Sequence, residues 1–476
     1  CEEREGTKAY THRIDSSAAP GNNGFNEIVG VYGVECAWGT LSRNSALHSG
    51  DAATVLEDLT VPAGKSLTLG QGTALRFDED DDGASGRSSS KNELVVEGTL
   101  AASSYFGETE FQSANPSPAA GDWYGIVVKP GGTVDFDEVT VEHAQYGIRD
   151  DQGAATATLD LEAVDFAACQ TAAVYLYPTP PSDGTGRLTM TDCNVSMGAA
   201  PYGVYLLNTT VYDGYDVTID GGSIAGTSSG TYGLYLRMLG PNGDAEVTDL
   251  EVGGLTSGTG IYLAAESPTL ECPTVDDCSW GIQLDGTGDP VVRWSTGGGA
   301  GLITDCTTGL YAKGSCTVDV DSLAVEDCAT GVYTDSYSDG TYTDLDVSGG
   351  TTGFRAKSSS AHMFREGNIT GFGSFGVDSY HTSGADFGTS GDYGYNNIYS
   401  TAQGVSKVFR VKPLISGLDD SPAQGNYWGS APPDTSMFSA AVDYSNYLTS
   451  LISLSLPGVG LGESPRPAML SALPNP

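Results

Sequence analysis

The chain repeats one short pattern of inward and outward positions. In each copy, a small or aromatic residue precedes a glycine, and an apolar residue follows it. The next residue is predicted to face outward, and in the longer copies a second apolar or small residue comes after it. Alternation with a period of two is typical of β-strands whose apolar side chains face inward. The copies are residues 124–128, 146–149, 172–176, 202–206, 232–236, 259–263, 280–284, 308–311, 330–333, 352–355 and 375–378.

The copies lie 21 to 30 residues apart, measured between their glycines, with Ala173 in the place of one glycine. One pattern repeated in phase predicts a parallel β-helix with one copy per coil. An antiparallel β-sandwich would also show short strands and turn signals, but it would not repeat one pattern in phase. The glycine is expected at a tight bend, where a side chain would collide with the neighbouring coil.

Segments on both sides of the repeats resemble a known family. They are residues 59–69, 72–77, 93–101 and 121–126, and the Asn-Tyr-Trp-Gly motif within residues 425–429. In this order they resemble secreted right-handed parallel β-helix repeat proteins of the pectate-lyase-like solenoid fold. The resemblance covers about residues 50–445. It implies an all-β, single right-handed parallel β-helix, or β-solenoid, and secretion, but it says little about activity.

The ends of a β-helix expose strand edges that invite aggregation, so we expect N- and C-terminal caps of atypical sequence. Residues 1–50 are expected to form the N-terminal segment and cap, and residues 51–400 the parallel β-helix. Residues 401–450 would form the last coil and the C-terminal cap. Residues 451–476, rich in Pro, Gly and Ser, would be a flexible tail.

Acidic residues dominate the charge. The sequence holds 61 Asp and Glu against 21 Lys and Arg, a net charge of -40. Nucleic acid is therefore not an expected partner, because phosphate binding needs clustered cations. With 39% hydrophobic residues the chain can fill a core, which argues against disorder. No apolar run approaches the roughly 18 residues of a membrane span.

Nine cysteines without a Cys-X-X-Cys pair fit an oxidising, extracellular or cell-surface location. Cys278, Cys306 and Cys328 share one register, as bridging partners or as buried small apolar residues. Cys1 is a candidate for lipidation, because a mature N-terminal cysteine resembles that of bacterial lipoproteins. A disulfide between Cys1 and Cys36 is the alternative. The Asn-X-Ser/Thr candidates for glycosylation are Asn194, Asn208 and Asn368.

An acidic segment resembles the first half of a calcium loop. Asp78, Asp80 and Asp82 alternate along it and Gly83 follows, which suits oxygen ligands around a hard cation. The Glu expected at the twelfth position is replaced by Ser89. Calcium is the candidate cofactor, a solvated acidic loop is the alternative, and no other cofactor is indicated.

Tyrosines recur at one outward position of the pattern, in a ladder interrupted by Gln283. Parallel coils would place their rings about 4.8 Å apart, close enough to stack. The ladder could stabilise the sheet, bind a glycan, or contact a neighbouring subunit. Its members are Tyr175, Tyr205, Tyr235, Tyr262, Tyr311 and Tyr333.

No complete catalytic motif accompanies the fold. The Asn-Thr-Asp, Gly-His-Gly and Arg-Ile-Lys motifs of polygalacturonase-like hydrolases are absent. Arg149 with Asp150 and Asp151 is the most compact group suited to glycan cleavage. We therefore expect a non-enzymatic extracellular or cell-surface structural protein that self-assembles as a filament, sheath or adhesive layer. The alternative is a protein that binds or cleaves polysaccharide.

Overall fold

A computed structural model describes residues 12–13, 24–25, 35–79, 81, 86–104, 108–151, 157–177, 186–208, 215–238, 245–286, 288–293, 301–336, 338–357, 361–380, 384–412, 421–439 and 442–453. The chain divides into two compact units, Cys1–Asp244 and Ala245–Pro476. Each unit consists of parallel strands stacked coil on coil, so the predicted all-β parallel β-helix is confirmed. Within these residues, no helix is long and apolar enough to cross a membrane.

Among its described residues, the first unit has 23 strands. They are β1 (His12–Arg13), β2 (Gly24–Phe25), β3 (Glu35–Leu41), β4 (Ser45–Leu47), β5 (Ala52–Val61), β6 (Ser66–Leu69), β7 (Ala74–Phe77), β8 (Glu93–Val96), β9 (Thr99–Ser103), β10 (Thr109–Ser113), β11 (Trp123–Val128), β12 (Thr133–Asp137), β13 (Val139–Glu142), β14 (Ala144–Asp150), β15 (Thr158–Glu162), β16 (Asp165–Ala167), β17 (Ala172–Leu176), β18 (Gly186–Thr191), β19 (Asn194–Ser196), β20 (Tyr202–Asn208), β21 (Tyr215–Asp220), β22 (Ser223–Ala225) and β23 (Tyr232–Met238).

The second unit contributes the remaining strands and one 3₁₀ helix, Thr435–Met437. Its strands are β24 (Ala245–Thr248), β25 (Glu251–Gly253), β26 (Thr259–Ala264), β27 (Thr269–Glu271), β28 (Thr274–Asp276), β29 (Trp280–Gly286), β30 (Val291–Arg293), β31 (Gly301–Thr304), β32 (Thr308–Gly314), β33 (Thr317–Asp321), β34 (Leu323–Glu326), β35 (Thr330–Thr334), β36 (Asp339–Thr343), β37 (Asp346–Ser348), β38 (Thr352–Ala356), β39 (Ala361–Arg365), β40 (Asn368–Thr370), β41 (Phe375–Tyr380), β42 (Gly384–Asp386), β43 (Asn397–Tyr399), β44 (Lys407–Lys412), β45 (Ser421–Pro422) and β46 (Val442–Asp443).

A regular coil has three strands, which we call a, b and c in chain order. In the first unit β12, β13 and β14 are one such set, and in the second β36, β37 and β38 are another. Each pairs in parallel with the equivalent strand of the next coil, as β12 does with β15 and β14 with β17. The repeated sequence pattern is strand c, which begins one to three residues before the glycine.

Single residues in the left-handed backbone region form the corners between the strands. Glu138 (φ 53°) separates β12 from β13, and His143 (φ 64°) separates β13 from β14. In the second unit Asp344 (φ 51°) stands before β37. Small polar residues tolerate this conformation better than β-branched ones, which explains the many aspartates at these corners.

The interior of each unit is filled by columns of equivalent side chains. On strand a of the first unit, Leu100, Val134, Leu159 and Leu188 lie in consecutive coils and are fully buried. Aromatic rings supplement them elsewhere. Phe77 and Trp123 stack with centroids 3.9 Å apart, and in the second unit Phe364 and Phe387 stack at 5.0 Å.

The repeated glycine lies where two coils approach most closely. A Cβ on Gly281 would lie 2.6 Å from the Gly309 carbonyl oxygen, and one on Gly309 would lie 2.7 Å from that of Gly331. Real Cβ atoms do not approach backbone this closely. The prediction that this glycine avoids a collision with the neighbouring coil is confirmed.

The Asn-Tyr-Trp-Gly motif covers the last coil of the second unit. The buried Asn426 side chain donates to the carbonyl oxygens of Phe387 (2.7 Å) and Ala423 (2.8 Å). Trp428 packs edge-on against Phe409 and Phe438, at centroid distances of 6.3 and 4.9 Å. The motif therefore satisfies exposed backbone groups and covers apolar side chains at the end of the interior.

Replacing Gly309 with alanine should destabilise the second unit by about 1–3 kcal/mol, because the new methyl group collides with Gly331 and with Val325 Cγ1 at 2.5 Å. Gly391→Ala is the matched control, since its Cβ would meet nothing within 4 Å. Its effect should stay within about 0.5 kcal/mol. Urea unfolding curves of the two variants test this, and equal midpoints would contradict the explanation.

Candidate functional site

In the first unit, tyrosines form a column on the outward face of the c strands. Tyr175, Tyr205 and Tyr235 are paired in register on β17, β20 and β23. The ring centroids of Tyr175 and Tyr205 are 4.8 Å apart, those of Tyr205 and Tyr235 are 4.7 Å apart, and each pair is within 10° of parallel. Because the rings cover one another's faces, mainly edges and hydroxyl groups remain for contact with anything outside.

A second row of tyrosines lies beside this column. Tyr202 packs on Tyr205 with centroids 4.6 Å apart, and Tyr232 packs on Tyr235 at 4.8 Å. Tyr202 and Tyr232 are half-buried, nearly parallel and 6.3 Å apart. We call these two residues, with Tyr175, Tyr205 and Tyr235, the tyrosine face.

Arg149 occupies the same column one coil before Tyr175. Its guanidinium carbon lies 4.6 Å from the ring centroid of Tyr146 and 5.6 Å from those of Tyr124 and Tyr175. Its Nη1 donates to the Tyr124 hydroxyl at 2.7 Å. With only 4% of its surface exposed, Arg149 is a cation sealed among three rings and serves the packing of this face.

The two neighbouring aspartates face in opposite directions. Asp150 is the last residue of β14, and Asp151 follows it. Asp150 faces the interior, where its Oδ1 accepts from the Tyr177 N–H (2.8 Å) and its Oδ2 has no partner. Burial raises the pKa of Asp150 to about 7. Asp151 faces outward; partial burial opposes its ionisation, but ion pairs with Lys129 (2.6 Å) and Arg87 lower its pKa. The structure therefore does not bring Arg149, Asp150 and Asp151 together into one open site.

A second buried acid in the first unit escaped the sequence analysis. Glu93 is buried at the start of β8, and its N–H donates to Asp58 Oδ1 at 2.9 Å. Burial raises the pKa of Glu93 to about 7, although hydrogen bonds from the Ser88 and Arg87 backbone oppose this. Asp58 and Glu93 are 35 positions apart in the sequence, and the stacking of β5 on β8 brings them together.

In the second unit, the equivalent column changes from aromatic to charged. Gln283 is paired in register with Tyr262 on one side and Tyr311 on the other, and Tyr311 stacks on Tyr333 at 4.9 Å. Tyr262 donates through its hydroxyl to Asp285 Oδ2 at 2.9 Å. Beyond Tyr333, the column continues with charged side chains.

Asp378 is the centre of the charged part of this column. It is paired in register with Arg355 on β38 and with Arg410 on β44. Its buried carboxylate lies 2.7 Å from Arg410 Nη2, 3.3 Å from Lys412 Nζ and 3.5 Å from Arg355 Nε. Burial opposes ionisation, but the ion pairs prevail and lower the pKa of Asp378.

Several predicted sites fall partly or wholly outside the described residues. Asp80, Asp82 and Cys1 are among them, as is the side chain of Cys36. Asp78 lies just after β7 and accepts from the Glu79 N–H at 2.9 Å. In the part of the chain that the structure describes, no three His, Cys, Asp or Glu side chains are arranged to hold a metal ion. Calcium and lipidation therefore stay predictions.

The cysteines with described side chains are all free thiols and all buried. Cys278, Cys306 and Cys328 lie in consecutive coils, each just before strand c, so their common register reflects a common place in the coil.

The glycosylation candidates differ in access. Asn194 is exposed, Asn368 is half-buried, and Asn208 is buried at the end of β20. A glycan could therefore join Asn208 only before its coil closes.

The chain matches no protein-family model, no curated protein and no solved structure. What it does must therefore be argued from its own residues.

Replacing Arg149 with alanine should destabilise the first unit by about 2–3 kcal/mol, since the Tyr124 hydroxyl loses a donor and three rings lose their cation. Arg187→Ala is the control, because Arg187 makes an exposed ion pair with Asp160. That change should cost about 0.5 kcal/mol or less. Chemical denaturation followed by tyrosine fluorescence measures both, and an equally small effect at Arg149 would refute the packing role.

Asp150→Asn and Asp151→Asn should have opposite effects on stability. The raised pKa of Asp150 means that the folded state binds more protons, so its contribution falls as pH rises from about 4 to 7. Asp150→Asn should therefore exceed the wild type above pH 7 by on the order of 2 kcal/mol, with the gain shrinking towards pH 4. Asp151→Asn should be less stable at neutral pH, and this deficit should vanish in acid. Urea unfolding midpoints of the wild type and both variants, measured from pH 4 to 8, test this. If the midpoints of all three proteins change with pH in the same way, the raised pKa of Asp150 and the lowered pKa of Asp151 are contradicted.

Proposed function

We propose that this chain is a non-enzymatic extracellular or cell-surface structural protein that self-assembles through the outward faces of its β-helical units. The observation that carries the proposal is the register of outward side chains. In each unit they repeat once per coil, in columns packed tightly enough to be rigid. A second copy has the same coil spacing, so a periodic face on one copy can meet a periodic face on another without losing register.

The tyrosine face supports a structural role better than sugar binding. Sugar rings bind aromatic residues through exposed ring faces, whereas the faces of Tyr175, Tyr205 and Tyr235 are stacked on one another. Arg149, which lies one coil before Tyr175 in the same column, is sealed among three tyrosine rings. The tyrosine face therefore presents a rigid surface of ring edges and hydroxyl groups, which suits contact with another regular surface.

The resemblance to secreted β-helix repeat proteins supports an extracellular location. Assembly would not depend on a large apolar patch. Among the residues whose side chains are described, three large apolar or aromatic side chains are more than about a third exposed: Met363, Tyr395 and Leu451. Contacts between copies should therefore be polar and sensitive to salt.

The protein should form species larger than a monomer as its concentration rises. Light scattering coupled to size-exclusion chromatography, with electron microscopy of the same fractions, tests this with and without calcium. Monodisperse monomers throughout would overturn the proposal. A parallel reducing-sugar and unsaturated-uronide assay on a polysaccharide panel tests the alternative, and turnover there would replace a structural function with an enzymatic one.

A further inference from the structure

The last c strands of the second unit gather cations that are scarce in this chain. Arg355, Lys357, Arg410 and Lys412 are four of only 21 lysines and arginines, and they lie on or directly after β38 and β44. We call these four residues the basic patch. Three of them lie around the buried Asp378 and Lys357 lies near Asp335, so four positive charges face two negative charges and leave an excess of two.

The cations are held in place and remain accessible. Arg410 lies 3.5 Å over the Phe375 ring, and Lys412 lies 4.5 Å over the Tyr380 ring. Lys357 lies 5.5 Å over the Tyr333 ring. The side chains of Arg355, Arg410 and Lys412 keep 28–36% of their surface exposed. Aromatic rings and Asp378 hold the charged ends in place, and an incoming anion would reach the part of each side chain that stays exposed.

The first unit carries the opposite charge on the outward side of its a strands. Asp135 and Asp137 on β12 are paired in register with Asp160 and Glu162 on β15. Arg187 on β18 neutralises one of them through its ion pair with Asp160 at 2.8 Å. We call these four acids the acid face, and its net charge is three negative units.

The two surfaces match in spacing along the strands and differ by one step across them. In both, charged residues alternate along a strand, about 6.6 Å apart, as Asp135 and Asp137 do on β12 and Arg410 and Lys412 do on β44. Across the strands, Arg355 and Arg410 are two steps of about 4.8 Å apart, against one step for Asp137 and Glu162. Long arginine and lysine side chains can bridge this difference.

We infer that the basic patch of one copy docks onto the acid face of a second copy. The inference rests on the proposed self-assembly and specifies its contact. Because the contact joins two different surfaces, it is heterologous and can propagate into an open chain of copies. Charge reversal at either surface should break it, and reversal at both should restore it.

Salt should affect this contact in two directions. Copies with a net charge of -40 repel one another at about 0.01 M salt, where the Debye length is about 30 Å. At about 0.1 M that repulsion is screened beyond roughly 10 Å, but ion pairs in direct contact survive. Association should therefore rise between these concentrations and fall again towards 1 M.

The test uses two double variants of the full chain, Lys357→Glu/Lys412→Glu and Asp137→Lys/Glu162→Lys. Each should weaken self-association about tenfold or more in sedimentation velocity at about 0.1 M salt. An equimolar mixture of the two should recover association, since the reversed patch then meets the reversed face. Asp319→Lys/Asp321→Lys alters two exposed acids on β33 and changes the net charge as Asp137→Lys/Glu162→Lys does, so it is the control for that variant and should not weaken association.

The outcomes separate this contact from the proposed function. If the wild type never associates, self-assembly itself fails. If the wild type associates but both variants do so equally well, assembly stands and this contact is wrong. Failure of the mixture to recover association would also overturn it. So would loss of binding to a uronate or sulfated polysaccharide in Lys357→Glu/Lys412→Glu with association unchanged, because the patch would then serve a glycan.

Discussion

In-register parallel pairing between coils is the interaction on which the rest of both units depends. Because equivalent strands lie about 4.8 Å apart, whatever residue stands at one position becomes a column. Inside, this makes stacks of apolar side chains such as Leu159 and Leu188. Within strand c it leaves no room for a Cβ at positions such as Gly281, and outside it forces Tyr205 and Tyr235 into contact. The pairing thus converts a sequence repeat into a surface repeat.

The same stacking also brings charged side chains of neighbouring coils close together. Two carboxylates in neighbouring coils lie close enough to repel by about 1 kcal/mol even in water, and more near the protein surface. One column of the second unit avoids this by alternating sign, in the order Arg355, Asp378 and Arg410. Asp135 and Asp160 do not alternate, and only Arg187 relieves them. A face that keeps uncompensated like charges in register favours a partner of opposite sign.

Much of the fold was predictable because the c strands carry a strong signal. Glycine at the bend and buried aliphatic residues around one outward position recur in phase, and the structure places them as expected. The a and b strands were harder to predict, since their corners are single residues such as Glu138 and Asp344 in the left-handed region. No sequence pattern distinguishes such an aspartate from any other acid in a chain that has 61 acidic residues.

The candidate sites were less predictable, because stacking joins residues that are far apart in sequence. Arg149, Asp150 and Asp151 are adjacent in the chain, yet the pleat of β14 sends Asp150 inward and leaves the others outside. Glu93 meets Asp58 only because β8 lies on β5. Residues adjacent in the chain were therefore predicted to form a site that the strand pleat divides. Residues brought together by neighbouring coils were not predicted.

The net charge of -40 concealed the basic patch in the same way. Averaged over the chain, it argues against any cationic surface, yet the pairing of β38 and β44 with β41 collects three cations around the Asp378 carboxylate. A general excess of acid keeps copies apart at long range, because every approach meets the same repulsion. It also makes the few cationic positions decisive, since only there does contact lower the free energy. A strongly acidic chain can therefore assemble in one orientation without an apolar interface.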